Sequence, residues 1–216
     1  MSQLPAMFTN RWKDDRSGPS YEDAVCWHLL LGGHPGVQAA AADARHRLAG
    51  FAGLHMTPPQ WLHVTVLRAG TVGRITEGDM EQMVTRAQAA VARTPPVAVT
   101  LRRVLYHPEA IALSVSPAPA LAPILAAARA ATRGIPGADA AGDDREEEWA
   151  PHLTLCYSTT EQPAAPVIEA LGKTLSAREV SISEMSLVVQ QGPEPLWNWR
   201  IAGSASLLGS APWALE

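Results

Sequence analysis

Two short runs of period-two alternation constrain this chain more than anything else in it: Gln60-Trp61-Leu62-His63-Val64-Thr65-Val66-Leu67 and Ala150-Pro151-His152-Leu153-Thr154-Leu155-Cys156. In the first, Leu62, Val64 and Val66 share one face while His63 and Thr65 share the other. In the second, Leu153 and Leu155 oppose His152 and Thr154. A half-buried strand lays its aliphatic face on a core and turns its other face to solvent or a cavity. An imidazole and a hydroxyl at i and i+2 then stand side by side, about 6.5–7 Å apart along the backbone. Two such pairs facing each other across a groove offer one substrate two proton-transfer groups and two hydroxyl donors. That set suits an anion such as phosphate.

Chance does not account for the pattern. His-x-Thr occurs three times, whereas 7 His and 13 Thr in 216 residues supply roughly 0.4 by composition. The third triplet, His55-Met56-Thr57, runs into Pro58-Pro59. Tandem prolines cannot donate to a sheet ladder, so it reads as loop.

A chain of 216 residues accommodates one generous domain or two small lobes around a real core. Its net charge is −4 and its pI near 6.0. A protein that grips long duplexes through their phosphates is expected to be basic, so the balance disfavours that role and leaves a nucleotide or an RNA end. Cys26 and Cys156 lie in apolar runs and read as small buried hydrophobes of a reducing cytosol, a disulfide being the alternative. The start, Met1-Ser2-Gln3-Leu4-Pro5, has no basic segment leading into an apolar one. The most apolar helix, near residues 121–131, holds Pro123 and Arg129 and is too short to span a bilayer. The expectation is a soluble, cytoplasmic monomer.

Residues 1–20 show little periodicity and read as an N-terminal extension, pinned by Phe8 or Trp12, ahead of a single two-lobed domain over 21–216. Strands are predicted at 24–31 and from Gln60 to about Gly70, at 97–105 and 110–116 as a hairpin, at the second motif, and at 180–190 and 197–208. Helices are predicted at 37–48, from a Thr76 cap with Asp79 three residues on to about Val91, and at 121–132 and 165–175. Residues 134–148 read as a loop ending in Asp143-Asp144-Arg145-Glu146-Glu147-Glu148, a solvated acidic run that would repel a long polyanion. Each motif strand is followed by a helix and two strands, which suggests a faint internal duplication and an α+β fold with antiparallel sheets.

His63 and His152 are the candidate acid/base pair, and Thr65 and Thr154 the candidate phosphate ligands. Arg68 and Tyr157, each five residues after a motif histidine, are candidate substrate contacts. His28, in mid-strand, reads as structural, or as groove-lining if its strand neighbours a motif strand. His34, His46, His55 and His107 read as surface residues, and Trp197, Trp199 and Arg200 as core and rim packing, a stacking edge for a base being the alternative. No cluster has metal spacing, so neither a metal nor another cofactor is expected.

The contexts Pro-x-x-Trp-Leu-His-Val-Thr-Val at 58–66 and Trp-x-Pro-His-Leu-Thr-Leu-x-Tyr-Ser at 149–158 resemble the two-histidine (2H) phosphoesterases, and in particular the bacterial 2'-5' RNA ligase-like group. The resemblance implies a bilobal, pseudo-twofold α+β fold, two antiparallel sheets around a central cleft with helices outside. It further implies metal-independent opening of 2',3'-cyclic phosphates, and in some members reversible 2'-5' joining of RNA. Many members carry a basic residue shortly after the second motif, where this chain has Cys156-Tyr157-Ser158; that departure bears most on ligation. By residue chemistry, one imidazole deprotonates water while the other protonates the departing sugar oxygen. His63 is assigned as acid and His152 as base, in roles that pseudo-symmetry leaves interchangeable. Hydrolysis of another cyclic phosphate, such as a signalling nucleotide or an ADP-ribose derivative, is the alternative within the class. A non-catalytic binder of nucleotides or RNA ends is the alternative outside it.

Overall fold

The computed structural model, which describes residues 4–13, 22–139 and 149–209, is an α+β fold of antiparallel strands backed by helices. In chain order the elements are β1 (Met7–Phe8), β2 (Ala24–Leu30), α1 (Pro35–Arg47), β3 (Leu54–Met56), β4 (His63–Thr71) and α2 (Glu77–Val91). They continue with β5 (Val97–His107), β6 (Ala110–Ser116), α3 (Ala122–Thr132), β7 (His152–Ser158), β8 (Gln162–Pro163) and α4 (Ala164–Leu171). They close with β9 (Thr174–Ile182), β10 (Glu184–Gln190) and β11 (Trp199–Ser206).

One sheet runs β11-β10-β2-β4-β7-β6-β5-β9, with β3 pairing onto β7; β1 and β8 form a separate ribbon. The sheet is two four-stranded halves that meet between β4 and β7. The strand order is a palindrome of roles about that junction: β4 corresponds to β7, β2 to β6, β10 to β5 and β11 to β9. This is the expected pseudo-twofold, with one motif strand from each half at the centre. Helices α2 and α3 pack on each other and over β11 and β4, while α1 lies on β9 and touches α4.

Local chemistry explains the elements. Val25, Trp27 and Leu29 alternate into the main core, and Trp27 Nε1 donates to Thr132 Oγ1 at 3.1 Å, tying β2 to α3. The Thr76 cap holds: its hydroxyl accepts from Asp79 N, and the Asp79 carboxylate accepts in return from Thr76 N. Helix α1 starts at a histidine, with His34 Nδ1 accepting from Gly36 N at 3.2 Å and Pro35 in the first turn. No helix of the described residues is long and apolar enough to cross a membrane.

Three expectations are corrected. His55-Met56-Thr57 does not lie in a loop: Leu54–Met56 is β3, paired with Ser158, Tyr157 and Cys156. The prolines follow that strand and open a 3-10 turn (Pro59–Trp61), so they end the pairing without preventing it. The helix predicted to 175 stops at Leu171, because Gly172 takes φ +81° and ψ −176°, an extended positive-φ conformation open to glycine. The strand predicted over 180–190 is two strands broken at Ser183, β9 pairing with β5 in one half and β10 with β2 in the other. The acidic run at 143–148 lies outside the described residues.

Residues 7–11 are tied down. Phe8 is fully buried, β1 pairs with β8, and Arg11 N donates to Ser158 O at 2.9 Å.

Candidate active site

Strands β4 and β7 touch through a single antiparallel pair, Val64 and Leu153, both fully buried on the core side. Read outward from that pair, the register sets His63 opposite Thr154 and Thr65 opposite His152. Period-two alternation puts all four on the other face. There they line a cleft of about 1120 Å³ together with Arg68, Tyr157, Trp149 and Trp197.

The two histidines are held alike. His63 Nδ1 lies 2.7 Å from Trp61 O, and His152 Nδ1 lies 2.9 Å from Ala150 O. A carbonyl only accepts, so Nδ1 carries the proton in each ring and Nε2 is left as the working nitrogen. Their settings differ. His63 is 8% exposed, stacked on His28 and edged by Trp199 at 4.9 Å, whereas His152 is exposed. Burial lowers the His63 pKa to about 4, against the lifting effect of the Trp61 carbonyl and with a smaller push from His152. His63 is therefore neutral at pH 7, with a lone pair on Nε2.

Thr65 and Thr154 are half-buried on the cleft wall, and His28 Nε2 lies 3.4 Å from Thr65 Oγ1. Arg68 and Tyr157, at corresponding places in the two halves, both line the cleft. Tyr157 stacks on Trp197 at 5.1 Å and 15°, and the Arg11 guanidinium sits 5.1 Å over the same ring. His28 does neighbour the motif strand, and at 4% exposure its ring is covered by His63 and Trp199 and stands behind the cleft lining. His55 is not a surface residue either, since its ring meets Trp12 edge-on at 5.2 Å and its Nε2 is buried. Among the described residues no three His, Cys, Asp or Glu side chains gather as a metal site.

Three residues enter the site that sequence reasoning left outside it. Trp149 Nε1 donates to Thr65 O at 3.2 Å, bracing the first motif from just before the second; its place three residues ahead of His152 was the available signal. Trp197, read as packing with a base-stacking edge as the alternative, is buried and packs on His63 at 5.8 Å, so that it forms cleft wall. Arg11 pairs with Glu109 and Glu194, 98 and 183 residues away, a separation that leaves no local signal.

Residues 35–194 match the family model described as the 2'-5' RNA ligase superfamily. The chain belongs to the 2'-5' RNA ligase superfamily. It is accordingly a 2H phosphoesterase-type chain, and solved structures agree on the fold. TT0787 of Thermus thermophilus is 18% identical with a TM-score of 0.66, over 87% of this chain and 100% of that one. E. coli LigT complexed with 3'-AMP is 12% identical with a TM-score of 0.59, over 87% and 99%. The MHV ns2 PDE domain is 12% identical with a TM-score of 0.52, over 78% and 99%. The comparison with curated proteins gives no match. Membership of the 2'-5' RNA ligase superfamily supports a function of the phosphodiesterase or ligase type.

Proposed function

We propose that this protein is a metal-independent phosphodiesterase that opens 2',3'-cyclic phosphates of RNA ends or nucleotides by paired-imidazole acid/base catalysis. The observation that carries the reading is the matched anchoring of His63 and His152. Each ring is fixed at Nδ1 by the carbonyl two residues before it, one from each half of a shared cleft. A cyclic phosphate seated between them has one imidazole on the water side and the other on the leaving-group side. Water attacks phosphorus as one Nε2 takes its proton. The P–O bond to the ribose breaks as the other imidazole, entering the step with a proton on Nε2 as well as Nδ1, gives the Nε2 proton to that oxygen, leaving a phosphomonoester and a free hydroxyl. Thr65 and Thr154 hold the non-bridging oxygens, where charge develops.

The environments favour reversing the roles assigned from sequence. His63, buried and neutral with a bare Nε2, suits the base, and His152, exposed at the cleft, suits the acid. An anionic phosphate beside His63 raises its proton affinity from the free-protein value, toward what a base needs near neutrality.

The substrate class draws support from E. coli LigT, seen complexed with 3'-AMP, and from a cleft roomy enough for a nucleotide or an RNA terminus. Joining is the same step with a 5'-hydroxyl replacing water, giving a 2'-5' linkage and a free 3'-hydroxyl, and belongs in the same assay. The protein is read as a cytoplasmic monomer that engages no long duplex.

The test is turnover of the four 2',3'-cyclic mononucleotides and a short RNA with a cyclic end, in excess EDTA. His63→Ala and His152→Ala are each expected to lose about 10²–10⁴-fold in rate. Full activity in either folded variant would refute the pairing. Silence of the wild type on every cyclic phosphate would refute the substrate class.

A further inference from the structure

The pseudo-twofold is broken at one chemically important place. Thr65 faces His28 across the β2–β4 ladder, whereas Thr154 faces Ala112 across the equivalent β6–β7 ladder. Both ladders shift register at the same step, between Trp27 and His28 in one and between Ile111 and Ala112 in the other. The backbone therefore delivers equivalent positions to the two threonines, and only the first half fills its position with an imidazole. That ring stacks on His63 at 4.2 Å and 22°, and Trp199 closes it from the side at 5.3 Å. Its Nε2 reaches Thr65 Oγ1 at 3.4 Å, while its Nδ1 is buried with no hydrogen-bond partner among the described residues.

Proton counting decides what this contact does. A neutral imidazole has one N–H. If His28 carried it on Nδ1, a donor would be buried without an acceptor, and the Thr65 proton would be spent on Nε2. Thr65 would then show a phosphate oxygen only lone pairs. If His28 carries it on Nε2, the orphan is a single acceptor lone pair, and Thr65 Oγ1 accepts from behind. Orphaned buried donors are the rarer and costlier of the two. The Thr65 hydroxyl then keeps its own proton for the cleft. A charged ring is excluded by its surroundings, since burial and then the neighbouring His63 hold the His28 pKa well below its ordinary value.

We propose that His28 is a positioning residue, donating from Nε2 to Thr65 Oγ1 so that the Thr65 hydroxyl donates to the scissile phosphate. The inference rests on the phosphodiesterase reading of the cleft. It makes the two threonines unequal: Thr65 is a directed donor and Thr154 a free rotor.

The first measurement needs no substrate. Nitrogen-15 NMR of the imidazoles in the full chain is expected to show His28 protonated at Nε2 and His63 and His152 at Nδ1. A His28 protonated at Nδ1 overturns the proposal whatever the protein hydrolyses, so the two readings fail separately. The second is kinetic, on the best cyclic phosphate. His28→Phe keeps a ring against His63 but has no donor, and is expected to lower kcat about tenfold with KM little changed. His28→Gln, whose amide reaches the same place as Nε2, is expected to recover to within about threefold of wild type. In a Thr65→Val background, His28→Phe is expected to have no further effect. Equal impairment of the Phe and Gln variants, an unimpaired Phe variant, or independent losses in the double variant would each overturn it.

Discussion

His63 gives up solvation to hold its position, and that exchange has a measurable consequence. Its folded-state pKa of about 4 lies below the ordinary 6.5, so between those values the unfolded chain binds more protons than the folded one. The contribution of His63 is complete above pH 6.5 and is lost as pH falls toward 4, and His28 shifts in the same direction. Urea unfolding at pH 7 and pH 5 is expected to show a loss in wild type that exceeds the loss in His63→Gln by on the order of 2 kcal/mol. The same shift places the acid limb of kcat/KM near pH 4 for a His63 base, which a pH profile of the free enzyme reads directly. Buried thiols respond in the opposite sense. Burial pushes Cys26 and Cys156 up to about 12, so neither is expected to react with a thiol reagent at pH 8 until denaturant is added. The motif histidines and threonines were legible because alternation encodes which face a side chain takes. The His28 contact was not, because it depends on which strand lies beside β4.

At the scale of elements, what the sequence hid is where strands change partners. Nothing at Ser183 marks a break: the run 180–190 is uninterrupted by Gly or Pro, yet β9 and β10 belong to opposite halves of the sheet. Gly172, by contrast, was a readable stop, a glycine with positive φ just past a helix. Packing of α2 shows how tightly such elements are placed. A Cβ built on Gly203 of β11 would lie 2.8 Å from the Val84 side chain of α2, so the helix approaches the strand only because no side chain stands there. Gly203→Val is expected to force them apart and to cost about 1–3 kcal/mol in chemical denaturation. A stability equal to wild type would show that the helix can shift freely over β11.

For the molecule as a whole, the question is what fixes one half against the other. The ladder between the motif strands is a single residue pair, with β3 continuing alongside β7. Arg11 adds a second bridge at the end of the cleft. It pairs with Glu109 in the turn between β5 and β6 at 2.9 Å, and with Glu194 in the connection between β10 and β11. Trp12 Nε1 donates to the same Glu194 at 3.2 Å. These side chains are largely covered, with Arg11 14% exposed and Glu194 11%, so the charges are screened less than a surface pair would be. The segment they hold carries Trp197, which stands against His63 and Tyr157, so Arg11 and Trp12 help to shape the cleft wall. Arg11→Met keeps an apolar stem beside Tyr157 and takes the guanidinium away from both carboxylates. It is expected to lower the midpoint of thermal unfolding and to raise KM more than it lowers kcat. Hydrogen exchange should quicken at the amides of residues 191–197 while those of β2 and β5 keep their protection. Unchanged exchange there, with KM at the wild-type value, would mean that the β4–β7 seam alone sets the cleft.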